Sequence, residues 1–291
     1  DFIVPPLGSN TNRSALPIPL FANTIHHSFH TLGLVLAYSV SYGISSRMTR
    51  HILRNIHGIA ISHQTVLNHQ NLAAVLAFNF IQKFQGPLTD SQIIGDETYI
   101  RICDEWGYAW FIIGAQSKAI WAFNISDNRD VLPALACVSK AMEKVKEHIP
   151  AIDCVADGNP SQKHIPSIDF IADGNPSYDA AVLSFNAKHA NKSIKRFTVI
   201  GLSNDDPESK QYRPLKQIIE RLNRTYKFHT RARCGFKTLN GAITLTTLFV
   251  AYYNFLRPHT SLDSNPPINI PSLADISTIQ GKWLKILHLA A

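Results

Sequence analysis

Cysteine is scarce in this chain. There are four in 291 residues, Cys103, Cys137, Cys154 and Cys234, and no two form a CxxC pair. That spacing excludes the usual zinc ribbon and offers no disulfide framework, so a reducing cytoplasmic compartment is the expectation. Methionine is scarcer still, with two residues and none at position 1. The opening DFIVPPLGSNTNRSALPIP is proline-rich and unpatterned and has no signal-peptide pattern, so 1–24 is expected to be a poorly ordered start of a chain lacking an upstream segment. Long apolar runs are also missing. The charge-free stretch 238–256 approaches the length of a membrane span, but its threonines, asparagines and tyrosines suit lipid poorly. A buried amphipathic helix, and no membrane partner, is expected there.

Charge of one sign is in deficit. Lys and Arg number 28 against 21 Asp and Glu, giving a net charge of +7 and a pI near 9.2. A polyanionic partner, most often nucleic acid, suits that balance. Apolar content of 45% with 17% charged residues excludes wholesale disorder.

Residues 25–88 read as helical. HSFHTLGLVLAYSVSYG has helical length and ends at Gly43, a C-cap. Ser45 or Ser46 then caps a helix whose apolar Met48, Ile52 and Ile56 recur every four residues. Gly58 breaks it and Ser62 caps a second, short helix carrying Thr65, Val66 and His69. Helix, glycine turn and helix form a helix-turn-helix pattern, and Arg47, Arg50, His51 and Arg54 line one side of its first helix, suited to phosphates. A solvated basic face on a helical hairpin is the plainer alternative.

From Ser91 the period changes. IIGDETYIRICDEWGYAWFIIGAQSKAIWAFNIS reads as three antiparallel strands punctuated at 105–107 and 114–118. A helix follows with Leu132, Leu135 and Val138 inward, then a strand, a helix at YDAAVLSFNA, a strand at KRFTVIGL, and a long basic helix starting at Pro214. A meander followed by βα units implies a mixed sheet with helices on both faces.

ADGNPS occurs twice, at 156–161 and 172–177; windows 148–163 and 164–179 agree at 11 of 16 positions without a gap. Each copy ends an apolar run with a carboxylate, Asp157 or Asp173. Asp96 lies in the first strand and Glu220 on the long helix. Neighbouring first and fourth strands would bring the aspartates together, with Glu220 laid across them. Singly, each has a structural reading: an Asp before Gly-Asn forms turns, and a Glu beside Arg makes a surface ion pair. Jointly they suit a metal, because like charges in contact raise one another's pKa unless cations neutralise them. Hard oxygen ligands select Mg²⁺ or Mn²⁺, and two ions suit in-line attack at a phosphodiester. Glu97 is expected to point away from Asp96, since strand side chains alternate.

GDETYIRI, ADGNPSYDAA, IIERLNRTYKFHTRARCGFKTLNGA and YYNFLRPHTSL together resemble the DDE transposases of prokaryotic insertion sequences, over residues 45–262. The resemblance implies a ribonuclease-H-like α/β core at 89–262, a helix-turn-helix region at 25–88 and a C-terminal tail with a short helix at 263–291. It implies a metal triad of Asp96, Asp173 (or Asp157) and Glu220 holding two Mg²⁺ or Mn²⁺ ions. It also implies cleavage at the element's ends and transfer of the freed 3′-OH to target DNA. The partners would be double-stranded DNA, as terminal inverted repeats and target, and further copies of the chain in a dimer or larger synaptic assembly at the nucleoid. Arg47, Arg50, Arg54 and Thr65 would bind DNA, as would Asn223, Arg224, Lys227 and Arg231, the last three spaced 4, 7 and 11 residues after Glu220. Tyr253, Asn254, Arg257 and His259 would support the core.

The repeat departs from the family, where one copy is expected. Sixty residues separate Asp96 from Asp157 and 76 separate it from Asp173. The shorter spacing suits the family better, but Asp173 runs into the helix that should leave a metal-bearing strand, so Asp173 is favoured. The duplication also leaves room for an impaired transposase that only binds DNA, or a nuclease of the same fold.

Overall fold

The structure, a computed structural model, describes residues 28–145, 167–189, 193–200 and 206–291. Cys154, Asp157 and the rest of the first ADGNPS copy lie outside them. The described residues divide into two compact units, one of 87–99, 107–145, 167–189, 193–200 and 206–223, the other of 28–86, 100–106 and 224–291. Residues 224–262, expected within the catalytic core, thus cluster with the N-terminal helices.

The first of these units is built on a five-stranded sheet. Strands β1 (Gln92–Ile102), β2 (Glu105–Gly114) and β3 (Ile120–Ser126) form the meander, followed by β4 (Ser167–Ala172) and β5 (Ser193–Thr198). The order is β3-β2-β1-β4-β5. A two-residue turn at Cys103 and Asp104, both with left-handed φ (51° and 64°), joins β1 to β2, so the turn falls two residues before the expected 105–107. β2 and β3 are antiparallel; β4 lies parallel to β1 with Gln92 opposite Asp169, and parallel to β5. This is the mixed sheet expected from the sequence. The strands are apolar because both faces are covered: Ile93, Ile94, Trp110, Phe111, Ile112, Ile168, Phe170 and Ile171 are fully buried.

Helix α4 (Val131–Glu143) follows β3 and α5 (Pro176–Lys188) follows β4; the two pack on each other. In α4 the inward residues are Pro133, Ala134, Cys137, Val138, Ala141 and Met142, whereas Leu132, expected inward, is 76% exposed. It sits in the first turn, beside the wrong edge of the buried stripe. Helix α6 (Pro207–Arg231) starts seven residues before Pro214. Asp206 accepts from the Ser209 amide at 2.7 Å and Pro207 takes the first-turn position, a stronger start than Pro214 offers.

The second unit is helical: α1 (Phe29–Leu36), continued by a π-helical turn Ala37–Ser41, α2 (Ser46–His57), α3 (His63–Phe84), α7 (Leu239–Phe255), the short α8 (Pro271–Ala274) and α9 (Ile279–Ala290). The caps are those read from the sequence. Ser45 accepts from the Met48 amide, Ser62 from the Thr65 amide, and Gly43 and Gly58 end their helices with φ near 67°. The inward face of α2 is not: Thr49 and Leu53 are buried, while Met48 and Ile56 are 53% and 71% exposed. Helix α3 is 22 residues long rather than short, with Val66, Ala73, Ala77 and Phe80 buried along it. α7 is buried on nearly every face instead of being amphipathic. Among the described residues, no helix is long and apolar enough to cross a membrane. The expected tail is part of this core: α9 packs on α1 and α3, Trp283 is fully buried, and its indole donates to Ser41 at 2.8 Å.

Candidate metal centre

The centre grows out of two neighbouring parallel strands. Gly95 has no side chain where the Phe170 ring of β4 crosses it; a Cβ there would lie 2.5 Å from that ring. The close approach sets β1 against β4 and brings Asp96 beside the end of β4, where Asp173 follows Ala172. Asp173 accepts from the Asn175 amide at 3.1 Å, and Asn175 in turn caps α5 by accepting from the Ser177 amide at 3.0 Å, with Pro176 in the first turn. Gly-Asn-Pro therefore both shapes the turn and aims the carboxylate.

Carboxylate oxygens of Asp96, Glu97 and Asp173 lie within 4.8 Å of one another. Glu97, expected to point away, is in the cluster: its side chain is buried and its carboxylate converges on those of Asp96 and Asp173. It is held by Tyr178, which donates at 2.8 Å, by the side-chain Nδ2 of Asn175, which donates at 3.2 Å, and by an ion pair with Arg129. Arg129 also reaches Asp173 at 3.6 Å. Burial foremost, then the charges of Glu97 and Asp96, push the Tyr178 phenol well above its ordinary range, so it stays a donor.

Helix α6 reaches Asp96 from its other side. Lys216 Nζ lies 2.9 Å from Asp96 Oδ1, and Asn223 Nδ2 donates to Asp96 Oδ2 at 2.9 Å. Burial raises the Asp96 carboxyl to about 6 against the pull of Lys216, with Glu97 and Asp173 adding to the rise. Glu220 is half-buried on α6 between these two contacts, four residues after Lys216 and three before Asn223, hence on the same face. Its carboxylate is outside the 4.8 Å cluster.

The donor set fits a hard divalent cation. Besides the carboxylates, Asn223 Oδ1 is buried with no hydrogen-bond partner, at the other end of the amide that touches Asp96. Sequence reasoning missed Glu97, Lys216, Arg129 and Tyr178. Lys216 was the legible one, since it falls one turn before Glu220.

Arg224, Lys227 and Arg231 are exposed along the C-terminal part of α6. In the helical unit Arg47 and Arg54 are exposed and Arg50 is half-buried, while the Thr65 hydroxyl bonds Ser62 Oγ at 2.9 Å within the cap of α3. Tyr253, Asn254 and His259 are buried; Arg257 lies over the Tyr253 ring at 5.5 Å and His259 meets that ring edge-on at 4.6 Å.

Residues 208–267 match the integrase core domain family. None of the curated proteins matches the chain. Among solved structures, the BIV integrase catalytic core domain aligns at 12% identity and TM-score 0.36, covering 61% of this chain and 91% of that one. The HTLV-2 integrase catalytic core domain, in complex with magnesium, aligns at 11% identity and TM-score 0.35, covering 62% and 95%. A simian T-cell lymphotropic virus intasome chain aligns at 14% identity and TM-score 0.39, covering 81% and 72%. The family match spans Glu220, Asn223 and the segment YYNFLRPHTSL.

Proposed function

We propose that this chain is a DDE transposase of a prokaryotic insertion sequence, which binds the element's ends and carries out metal-dependent DNA cleavage and strand transfer. The observation that carries this reading is the meeting of Asp96, within β1, and Asp173, just past the end of the neighbouring parallel strand β4, with α6 docked on Asp96 from both sides of Glu220. Asp96, Asp173 and Glu220 would hold two Mg²⁺ or Mn²⁺ ions, and Glu97 is a further oxygen donor. When bound, such ions would supply Lewis acidity at the phosphodiester. The chain's own groups do the positioning. Arg129 and Tyr178 fix Glu97, Asn175 fixes Asp173, and Arg224, Lys227 and Arg231 offer charge to the DNA backbone along the continuation of the same helix. Arg47, Arg50 and Arg54, with the N-terminal end of α3, serve the terminal inverted repeats. Two ends must be joined in one event, so a dimer or larger assembly is the working form, at the nucleoid.

The test is a duplex carrying the element's end, incubated with protein and Mg²⁺. Wild type nicks at the end and yields a strand-transfer product, and Asp96→Ala abolishes both. End binding with no metal-dependent cleavage by wild type would replace this reading with a DNA-binding protein that has lost catalysis, for which the duplicated ADGNPS segment leaves room. Cleavage without joining would leave a nuclease.

A further inference from the structure

Asp96 already carries a cation. Lys216 Nζ sits 2.9 Å from Oδ1, and the two side chains are only 12% and 15% exposed. An ammonium and a divalent cation are both hard cations seeking the same carboxylate oxygen, so occupation by one opposes the other. The remaining charged groups around Asp96 single Lys216 out as the exchangeable partner. Glu97 and Asp173 are acidic. Arg129 is the other cation, but it is tied to Glu97, whose carboxylate is further filled by Tyr178 and Asn175. Asn223 is neutral, and its bond to Oδ2 does not oppose a cation by charge. Lys216 also has the means to leave, because its four-carbon stem moves the ammonium without moving the backbone.

Resting on the metal-site reading above, we infer that Lys216 is a positioning residue that exchanges with the metal. Its ammonium holds Asp96 and docks α6 in the metal-free protein, and gives way when the cation binds. The exchange keeps one positive charge on a buried carboxylate at all times, so the cluster of three acids does not have to stand uncompensated before loading. It also sets the metal's apparent affinity below what the carboxylates alone would give, since binding must first break the ion pair. The released ammonium stays one helical turn from Glu220, on the face of α6 that meets the site, where a DNA phosphate would be the next anion available to it.

The test is Mn²⁺ titration of the full metal-free chain, followed by electron paramagnetic resonance of the free ion, with thermal unfolding recorded for each variant. Lys216→Met removes the competing charge, and Mn²⁺ is expected to bind about tenfold more tightly than to wild type. Lys216→Gln, which can still donate to Asp96 but carries no charge, should tighten binding likewise, and Lys216→Arg should stay within about threefold of wild type. Both neutral variants should melt lower than wild type without metal and regain the loss with Mn²⁺. Unchanged or weaker Mn²⁺ binding in both neutral variants overturns the exchange while leaving the metal site in place. Absence of Mn²⁺ binding in every protein, wild type included, removes the site itself and the exchange with it.

Discussion

Asp90 and Asp96 lie six residues apart, and the fold treats their carboxylates in opposite ways. Asp90 is 1% exposed and accepts from the Gln116 and Ser117 amides, the Ser117 hydroxyl and the Trp121 indole, at 2.6–3.0 Å. These four donors are neutral groups on the β2–β3 turn or the start of β3, so its role is structural. Gly114 is part of the same arrangement, because a Cβ there would meet Asp90 Oδ2 at 2.2 Å. Asp90→Ala strips four donors of their acceptor and is expected to cost about 3 kcal/mol, read as a lower urea midpoint with an unchanged slope. Asp96 instead has an ammonium and an amide on one side and two carboxylates on the other. Burial raises its pKa to about 6 against the pull of Lys216, and the two carboxylates add to the rise. Local pattern separates the two poorly: both are single acids near apolar runs, and only the long-range placement of α6 and β4 tells a satisfied carboxylate from a poised one. Glu97 shows the same limit. Alternation along β1 predicts that it points away from Asp96, but from mid-strand its carboxylate reaches those of Asp96 and Asp173, and no one-dimensional rule contains Tyr178 or Arg129.

Among elements, what the sequence made legible is what short-range chemistry decides. The caps at Ser45, Ser62, Gly43 and Gly58, the Asn175–Pro176 start of α5 and the meander followed by βα units all follow from residues within a few positions of each other. Inward faces were less legible. Met48, Ile52 and Ile56 have a clean four-residue spacing, but the stripe that packs is Thr49 and Leu53, because burial is set by what lies opposite and not by which stripe is more apolar. The start of α6 was misplaced for a related reason: Pro214 has the right residue type, yet Asp206 and Pro207 supply the cap as well. Pro214 consequently sits in a helix interior, with no amide to give the preceding turn. Pro214→Ala is expected to raise stability by at least about 1 kcal/mol in equilibrium unfolding, since interior proline costs about 3 kcal/mol relative to alanine. A drop in stability would mean that the proline-bearing turn is required by its surroundings.

Taken whole, the chain is a basic protein in which two buried histidines and a buried aspartate respond oppositely to acid. In the helical unit, burial pushes His229 down to about 4, and His259, buried beside Arg257, likewise. Their folded pKa values lie below the unfolded value of about 6.5, so the unfolded chain binds more protons between pH 4 and 6.5. The stability they contribute is complete above pH 6.5 and is lost as pH falls toward 4, by up to about 3 kcal/mol for His229. Asp96 has the opposite sign, its raised pKa favouring the folded state at acid pH, but it is one group against two. Urea unfolding should therefore give lower stability at pH 5 than at pH 7, and His229→Phe should flatten the slope. The central claim, that Asp96 and Asp173 form the catalytic metal centre, is tested most directly by comparing Asp173→Asn and Asp157→Asn in the Mg²⁺-dependent strand-transfer reaction. The account predicts that Asp173→Asn abolishes the product while Asp157→Asn leaves it; loss through Asp157→Asn alone, or equally through both, would contradict it.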